Sequence, residues 1–228
     1  RVLGVTATGS NLRLAVTPVA VVGTLTGTTA ASTWLGPLAP ANALAVFHIG
    51  NSFTRWGHIP AQLADFAAAS NRPHTQGEQL ADGQGIGYHW TNGLPGGTLT
   101  RGSPSRSELQ TASWDALILQ PMSREWQPAN LPAFQANAES FDTLADGVGA
   151  HLYLYAYWPW RDEPLSDQDS INAAFEQVRA ALSSDGPPVR VIPVGEAFRA
   201  AINEMGSGEL AGLTRANLYQ DEYHPSDL

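Results

Sequence analysis

From position 44 to position 205 the chain alternates short apolar runs with stretches of helical spacing, which narrows its possible folds more than any other feature. Residues 44–49 form an apolar run of the kind expected of a central parallel strand. Residues 59–69 follow, with Ile59, Leu63 and Phe66 at helical spacing. Residues 115–119, 151–157 and 189–194 read as further buried strands, and residues 134–144, 171–182 and 197–205 as helices. A short strand is also expected at residues 74–80. This order implies right-handed crossovers and a parallel sheet with helices on both faces, an α/β fold. In such folds a site forms beyond the carboxyl ends of the strands.

Residues 1–42 have another texture. Val2, Val5 and Ala7 precede a Gly9-Ser10-Asn11 turn, after which Leu12, Leu14 and Val16 alternate with other residues, the pattern of a β-hairpin. Another strand is expected near residues 19–26, and residues 36–40 read as a linker. Strands this few cannot build a core of their own, so residues 1–42 form a β-rich appendage to a domain spanning 43–228. The apolar stretch 12–31 and Ala41-Asn42-Ala43 have the look of a signal segment, though Pro18, Gly23 and Gly27 interrupt it. The chain starts at Arg1 rather than Met, so an upstream segment is expected to have been removed.

Two short stretches carry chemistry. Gly50-Asn51-Ser52-Phe53-Thr54 closes the first apolar run, and Asp221-Glu222-Tyr223-His224-Pro225 lies far downstream. A serine hydroxyl is a poor nucleophile without a general base. His224 is the best base among six histidines because Asp221 lies one turn before it, where a carboxylate can hold Nδ1 and leave Nε2 for Ser52. Acyl transfer also needs donors for the developing oxyanion. The Ser52 N–H is one, and the glycine-rich stretch 82–87 offers a second. Gln120, just after the 115–119 strand, is a third; on position alone it could equally be a polar strand cap. The glycine-rich stretch lacks the following Lys-Ser/Thr of a phosphate loop, which argues against a nucleotide.

Taken together these residues resemble an SGNH/GDSL-type esterase, and the GNSFT form resembles a branch found among bacterial carbohydrate esterases. The Gly-Asp-Ser block of that family appears here as Gly50-Asn51-Ser52, and its Asp-x-x-His block is intact as Asp221 and His224. The second-block glycine maps to Gly83, with Gly85 as the other register. The third block, Gly-x-Asn-Asp in the family, departs: here it reads Leu119-Gln120-Pro121-Met122-Ser123, so Gln120 stands where an asparagine amide is usual. The resemblance covers residues 44–228. It implies a flavodoxin-like three-layer α/β/α sandwich around a parallel sheet of about five strands. It also implies a catalytic triad of Ser52, Asp221 and His224, and an oxyanion site of Ser52, Gly83 and Gln120. The family places a final helix after the histidine, and this sequence ends without one.

Around that site, Asn51, Trp90, Trp126, Trp158, Trp160 and Arg161 are the expected substrate contacts, with Tyr219 a further aromatic. Aromatic faces stack on sugar rings or cover acyl chains. All 12 basic residues are arginine against a formal charge of −9, with no basic run, so nucleic acid is excluded as a partner. No cysteine is present, which removes disulfides and thiolate chemistry. No apolar run reaches membrane-spanning length, and no HxH or HExxH spacing points to a metal. The expectation is a secreted or periplasmic serine ester hydrolase, without cofactor or metal, that removes small acyl groups, above all acetyl, from a carbohydrate. A lipase, thioesterase or acyltransferase on the same triad is the alternative enzyme. A non-catalytic carbohydrate-binding module is the alternative from another class.

Overall fold

Five strands run parallel: β3 (Leu44–Gly50), β4 (His74–Leu80), β6 (Ala116–Leu119), β7 (His151–Tyr155) and β8 (Arg190–Ile192). Of these, β3, β6 and β7 are short, largely apolar runs covered on both faces, whereas β4 is mostly polar and β8 is only partly buried. A two-residue strand, β5 (Arg101–Gly102), joins the β4 edge antiparallel, giving the order β5-β4-β3-β6-β7-β8. The computed structural model describes residues 4–8, 11–15, 44–72, 74–182, 186–205 and 210–226. Within them β1 (Gly4–Thr8) and β2 (Asn11–Ala15) pair antiparallel, from Gly4↔Ala15 to Thr8↔Asn11. The strand expected at 19–26, the linker at 36–40 and most of the signal-like stretch lie outside the described residues.

The parallel strands taken alone follow the flavodoxin-like order 2-1-3-4-5. The chain therefore reverses direction across the sheet between β3 and β6, and a crevice opens there at the strand ends. Seven helices are described: α1 (Ser52–Trp56), α2 (Ile59–Ala69), α3 (Ile86–Thr91), α4 (Ser105–Thr111), α5 (Leu131–Val148), α6 (Asp167–Ala181) and α7 (Val194–Glu204). Sequence spacing placed α2 and β4 at their observed limits. It did not foresee α1, α3, α4 or β5. It also ran two strands too long: β7 stops at Tyr155, and β8 stops at Ile192 because Pro193 has no N–H to pair.

One face of the sheet packs on α5 and α6. Phe47, Ile49, Leu117, Leu119, Leu152 and Leu154 point into a core with Phe134, Phe141 and Phe175, all at most 1% exposed. The helix α5 starts with Pro132 in its first turn and stops at Gly149, whose φ of 76° suits glycine. The other face carries α2, where Ile59, Leu63 and Phe66 border an apolar trough with Ile118, Tyr155, Ile192 and Val194. Among the described residues no helix is long and apolar enough to cross a membrane.

Two imidazoles in this interior tie stability to pH. His48 on β3 is 1% exposed and His89 on α3 is 0% exposed. Burial, helped by nearby His74, pushes His48 down from 6.5 to about 4, and burial pushes His89 to about 4 as well. Both rings are neutral in the fold but take up protons near 6.5 once unfolded. The unfolded chain therefore binds more protons between those values, and stability is lost as pH falls from 6.5 towards 4. Each ring contributes up to about 3 kcal/mol of that loss. Thermal melting is expected to drop steeply between pH about 7 and about 4.5; a flat Tm over that range would refute it.

Candidate active site

The carboxyl end of β3 turns sharply into α1, and glycine at its last position is a steric requirement. A Cβ on Gly50 would stand 2.5 Å from Thr54 Oγ1 and 2.8 Å from Gln120 Oε1. Asn51 then caps α1: its Oδ1 accepts from Phe53 N at 3.1 Å, and its carbonyl accepts from Thr54 N and Arg55 N at 3.1 Å. Ser52 follows as the first residue of α1, 9% exposed.

Three neighbours lock this turn. Gln120, 1% exposed, accepts through Oε1 from Asn51 N at 3.0 Å and from Thr54 Oγ1 at 3.1 Å, and its Nε2 donates to Pro121 O. Because a peptide N–H can only donate, the first of these bonds assigns the amide orientation. Asn51 Nδ2 donates to Gln84 O at 3.1 Å, and Arg55 pairs with both carboxylate oxygens of Asp82 through Nε and Nη2. The loop between β4 and α3 is thereby pinned to α1. It contains Gly83, exposed and at φ +69°, a conformation that favours glycine. Glu125 holds the loop from its far side, accepting from Ile86 N at 3.2 Å and from Met122 N at 2.6 Å. A Cβ on Gly85 would lie 2.7 Å from that carboxylate. Burial raises the Glu125 carboxyl, against the lowering effect of its two backbone donors.

The downstream stretch folds back onto α1. Tyr219 bridges Pro225, and Gln220 N donates to His224 O at 2.9 Å, closing a tight loop. Asp221 organises it: Oδ1 accepts from Tyr223 N at 2.9 Å and His224 N at 2.8 Å, while Oδ2 meets His224 Nδ1 at 2.6 Å. Burial works against ionising Asp221, but the hydrogen bonds from His224 and from the two backbone amides outweigh it and lower the carboxyl. An ionised Asp221 puts the ring proton on Nδ1, leaving Nε2 as an acceptor. That Nε2 is buried and has no hydrogen-bond partner among the described residues. The imidazole lies flat on Trp56 and edge-on to Phe53, so it packs against the helix that begins with Ser52. Among the described residues Nε2 and Ser52 form no hydrogen bond. Beside them is a polar hollow of about 300 Å³ lined by Arg55, Trp56, His58 and Gln220.

Several residues expected here have other places. Gln120 spends its amide oxygen on Asn51 N and Thr54 Oγ1 and one amide proton on Pro121 O, so it braces the turn. Asn51, 2% exposed, spends both ends of its side chain on the scaffold rather than on substrate. Trp158, 1% exposed, is sandwiched between Phe53 and Phe198, and its Nε1 donates to Tyr223 O at 3.1 Å. Trp90 packs edge-on against Phe141 beneath Arg106, on the α5 side of the sheet. Trp126 is half-buried against the core. Trp160 stands nearer, tilted on Tyr223 at 5.2 Å, with the Arg124 guanidinium 4.2 Å from its ring centre. Arg161 supports the base loop through its own N–H to Glu222 O at 2.8 Å and Nη1 to Asp221 O at 3.3 Å. Tyr219 is buried, donating to Pro159 O at 2.7 Å.

Sequence reasoning missed Trp56 and Glu125. The first had a signal, since it lies four residues after Ser52 on a helical turn. Glu125 had none, because an acidic residue in a polar loop reads as solvated. No group of three or more His, Cys, Asp or Glu among the described residues could hold a metal ion.

No protein-family model matches the chain, and no curated protein matches it in sequence. Solved structures do. A DUF4886 family protein from Bacteroides uniformis matches with a TM-score of 0.60 at 17% identity, over 82% of this chain and 77% of that one. The lipase Lip_vut3 from a goat rumen metagenome matches with a TM-score of 0.55 at 13% identity, over 81% of this chain and 91% of that one. At such identities the likeness is one of fold, and it agrees with the α/β architecture read from the sequence.

Proposed function

We propose that the chain is a serine ester hydrolase of the SGNH/GDSL type, acting on small acyl groups, above all acetyl, carried by a carbohydrate. The observation that carries this reading is the Asp221–His224 pair, with its buried, unpartnered Nε2 packed on the helix that starts with Ser52. Ser52 Oγ attacks the ester carbonyl and its proton passes to His224 Nε2, while Asp221 steadies the imidazolium. The Ser52 and Gly83 N–H groups receive the oxyanion, and Gln120 serves by fixing the turn that presents them. His224 returns the proton to the departing sugar oxygen, then draws one from a water that attacks the acyl carbonyl; Ser52 Oγ leaves, takes that proton back from His224, and the acid is released.

Two features of the surroundings support the substrate class. The hollow beside Trp56 is lined by polar side chains, which suits a hydroxyl-rich alcohol. The apolar trough lies on the α2 face and none of Ser52, Gly83, Asp221 or His224 lines it, so a long acyl chain finds no berth there. Two measurements test the proposal: fluorophosphonate labelling with the adduct mapped to Ser52, and acetate release from a panel of acetylated glycans. Nitrophenyl esters of rising chain length should be cleaved fastest at acetate. Preference for long chains would move the reading to a lipase, and saturable glycan binding without labelling would move it to a binding module.

A further inference from the structure

The base of the proposed triad rests on more than its carboxylate. Ser52 and Trp56 lie four residues apart in α1 and share one face of that turn. The Trp56 indole lies on the His224 imidazole with ring centres 4.1 Å apart and planes 12° from parallel. At the next residue, a Cβ on Gly57 would stand 3.1 Å from Pro225 Cγ. Two consecutive residues at the end of α1 therefore grip two consecutive residues of the base loop. Trp56 Nε1 is buried and has no hydrogen-bond partner among the described residues, so the ring N–H does not anchor the indole. The contact it makes with the site is through its face.

We infer that Trp56 is a positioning residue, whose stacked face sets the plane of the His224 ring and so directs Nε2 towards the turn bearing Ser52. This rests on the hydrolase reading above. A single bond from Nδ1 to Asp221 leaves an imidazole free to tilt about the line of that bond. Tyr223 touches the ring at 4.3 Å but 50° from parallel, and Phe53 at 6.0 Å is edge-on. Trp56 is the neighbour among these that lies parallel and blocks the tilt. Since the nucleophile and the stacking face belong to one turn of helix, a shift of α1 carries both together. The imidazolium that forms as Ser52 loses its proton also lies over an indole face, an arrangement that favours a cation. The effect should therefore fall on turnover rather than on binding.

The test compares Trp56→Leu with Trp56→Phe in the full chain, reading kcat and KM on nitrophenyl acetate, which brings no sugar to the hollow that Trp56 also lines, together with Ser52 labelling rate and the NMR signals of the His224 ring protons. Trp56→Leu should lower kcat and labelling by about 10- to 100-fold with KM nearly unchanged, the scale of a misdirected catalytic group. Trp56→Phe, which keeps a face, should stay within about threefold of the parent. The His224 ring signals, held upfield beneath the indole, should move downfield in Trp56→Leu and much less in Trp56→Phe. Trp56→Met, closer in volume, replaces the leucine variant if that one melts early. Parent-like kcat in a folded variant without the aromatic face would overturn the inference, as would loss of activity in Trp56→Phe equal to that in Trp56→Leu. A parent chain that is inert and unlabelled at Ser52 sinks the hydrolase reading, and the inference with it. An active parent with unaffected variants sinks the inference alone.

Discussion

Replacing Ser52 with alanine is expected to lower kcat on an acetyl ester by about 10⁴-fold or more, while the melting temperature hardly moves. The two halves of that expectation have separate causes. Without Oγ there is no atom to form the acyl-enzyme, and the remaining peptide donors can only assist direct attack by water. The fold loses nothing, because the Ser52 hydroxyl makes no hydrogen bond among the described residues and its removal orphans no partner. Steady-state kinetics beside a thermal melt checks both. Residual activity above about a tenth of the parent would remove Ser52 from the mechanism, since no other triad member can substitute for a missing nucleophile.

Asp221→Asn is the second variant with a large expected effect, and it works through a single proton. An asparagine can still accept from Tyr223 N and His224 N through Oδ1, so the loop keeps its shape. Its other terminus becomes an NH₂ group facing His224 Nδ1 at the position where a carboxylate oxygen stood 2.6 Å away. Two donors cannot share that bond, so the imidazole must place its proton on Nε2 and accept at Nδ1. The base is then capped at the nitrogen that would take the Ser52 proton. A loss of about 10² to 10⁴ in kcat is expected, with KM little changed and Ser52 labelling slowed in parallel. If Asp221→Asn retained the parent rate, the carboxylate would be only a loop anchor. Asp221→Ala distinguishes that role, since it should lower Tm as well.

What could be read from the sequence divides along physical lines. The strands β3, β6 and β7 and the helix α2 were legible because burial on two faces imposes an apolar run, and burial on one face imposes a helical period; the polar β4 gave a weaker signal. The short helices α3 and α4 were not, since six and seven residues complete too few turns to show a period. The Asp221–His224 pair was legible because a carboxylate three residues before an imidazole is spaced to hold its Nδ1, and the structure shows that bond. Gln120 and Trp158 show the limit of such reading. Gln120 offers an amide to the site by position, yet the deciding fact is that Asn51 N and Thr54 Oγ1 both point at its oxygen. Trp158 lies beyond the end of a strand, where an open cleft is expected, but Phe198 comes from α7 to cover its far face. Contacts between elements distant in sequence decide such cases, and no local pattern records them.

The grip of α1 on the His224 loop has a consequence for assembly. Strands β4, β6, β7 and β8 all lie between nucleophile and base along the chain, so the two halves meet only by closing a very long loop. That closure becomes favourable once the intervening sheet is in place, which makes these contacts among the latest to form. Partly folded chains therefore carry the serine without its activator and stay chemically silent. Fluorophosphonate uptake during refolding would then lag behind recovery of helix and sheet, serving as a clock for the final docking step.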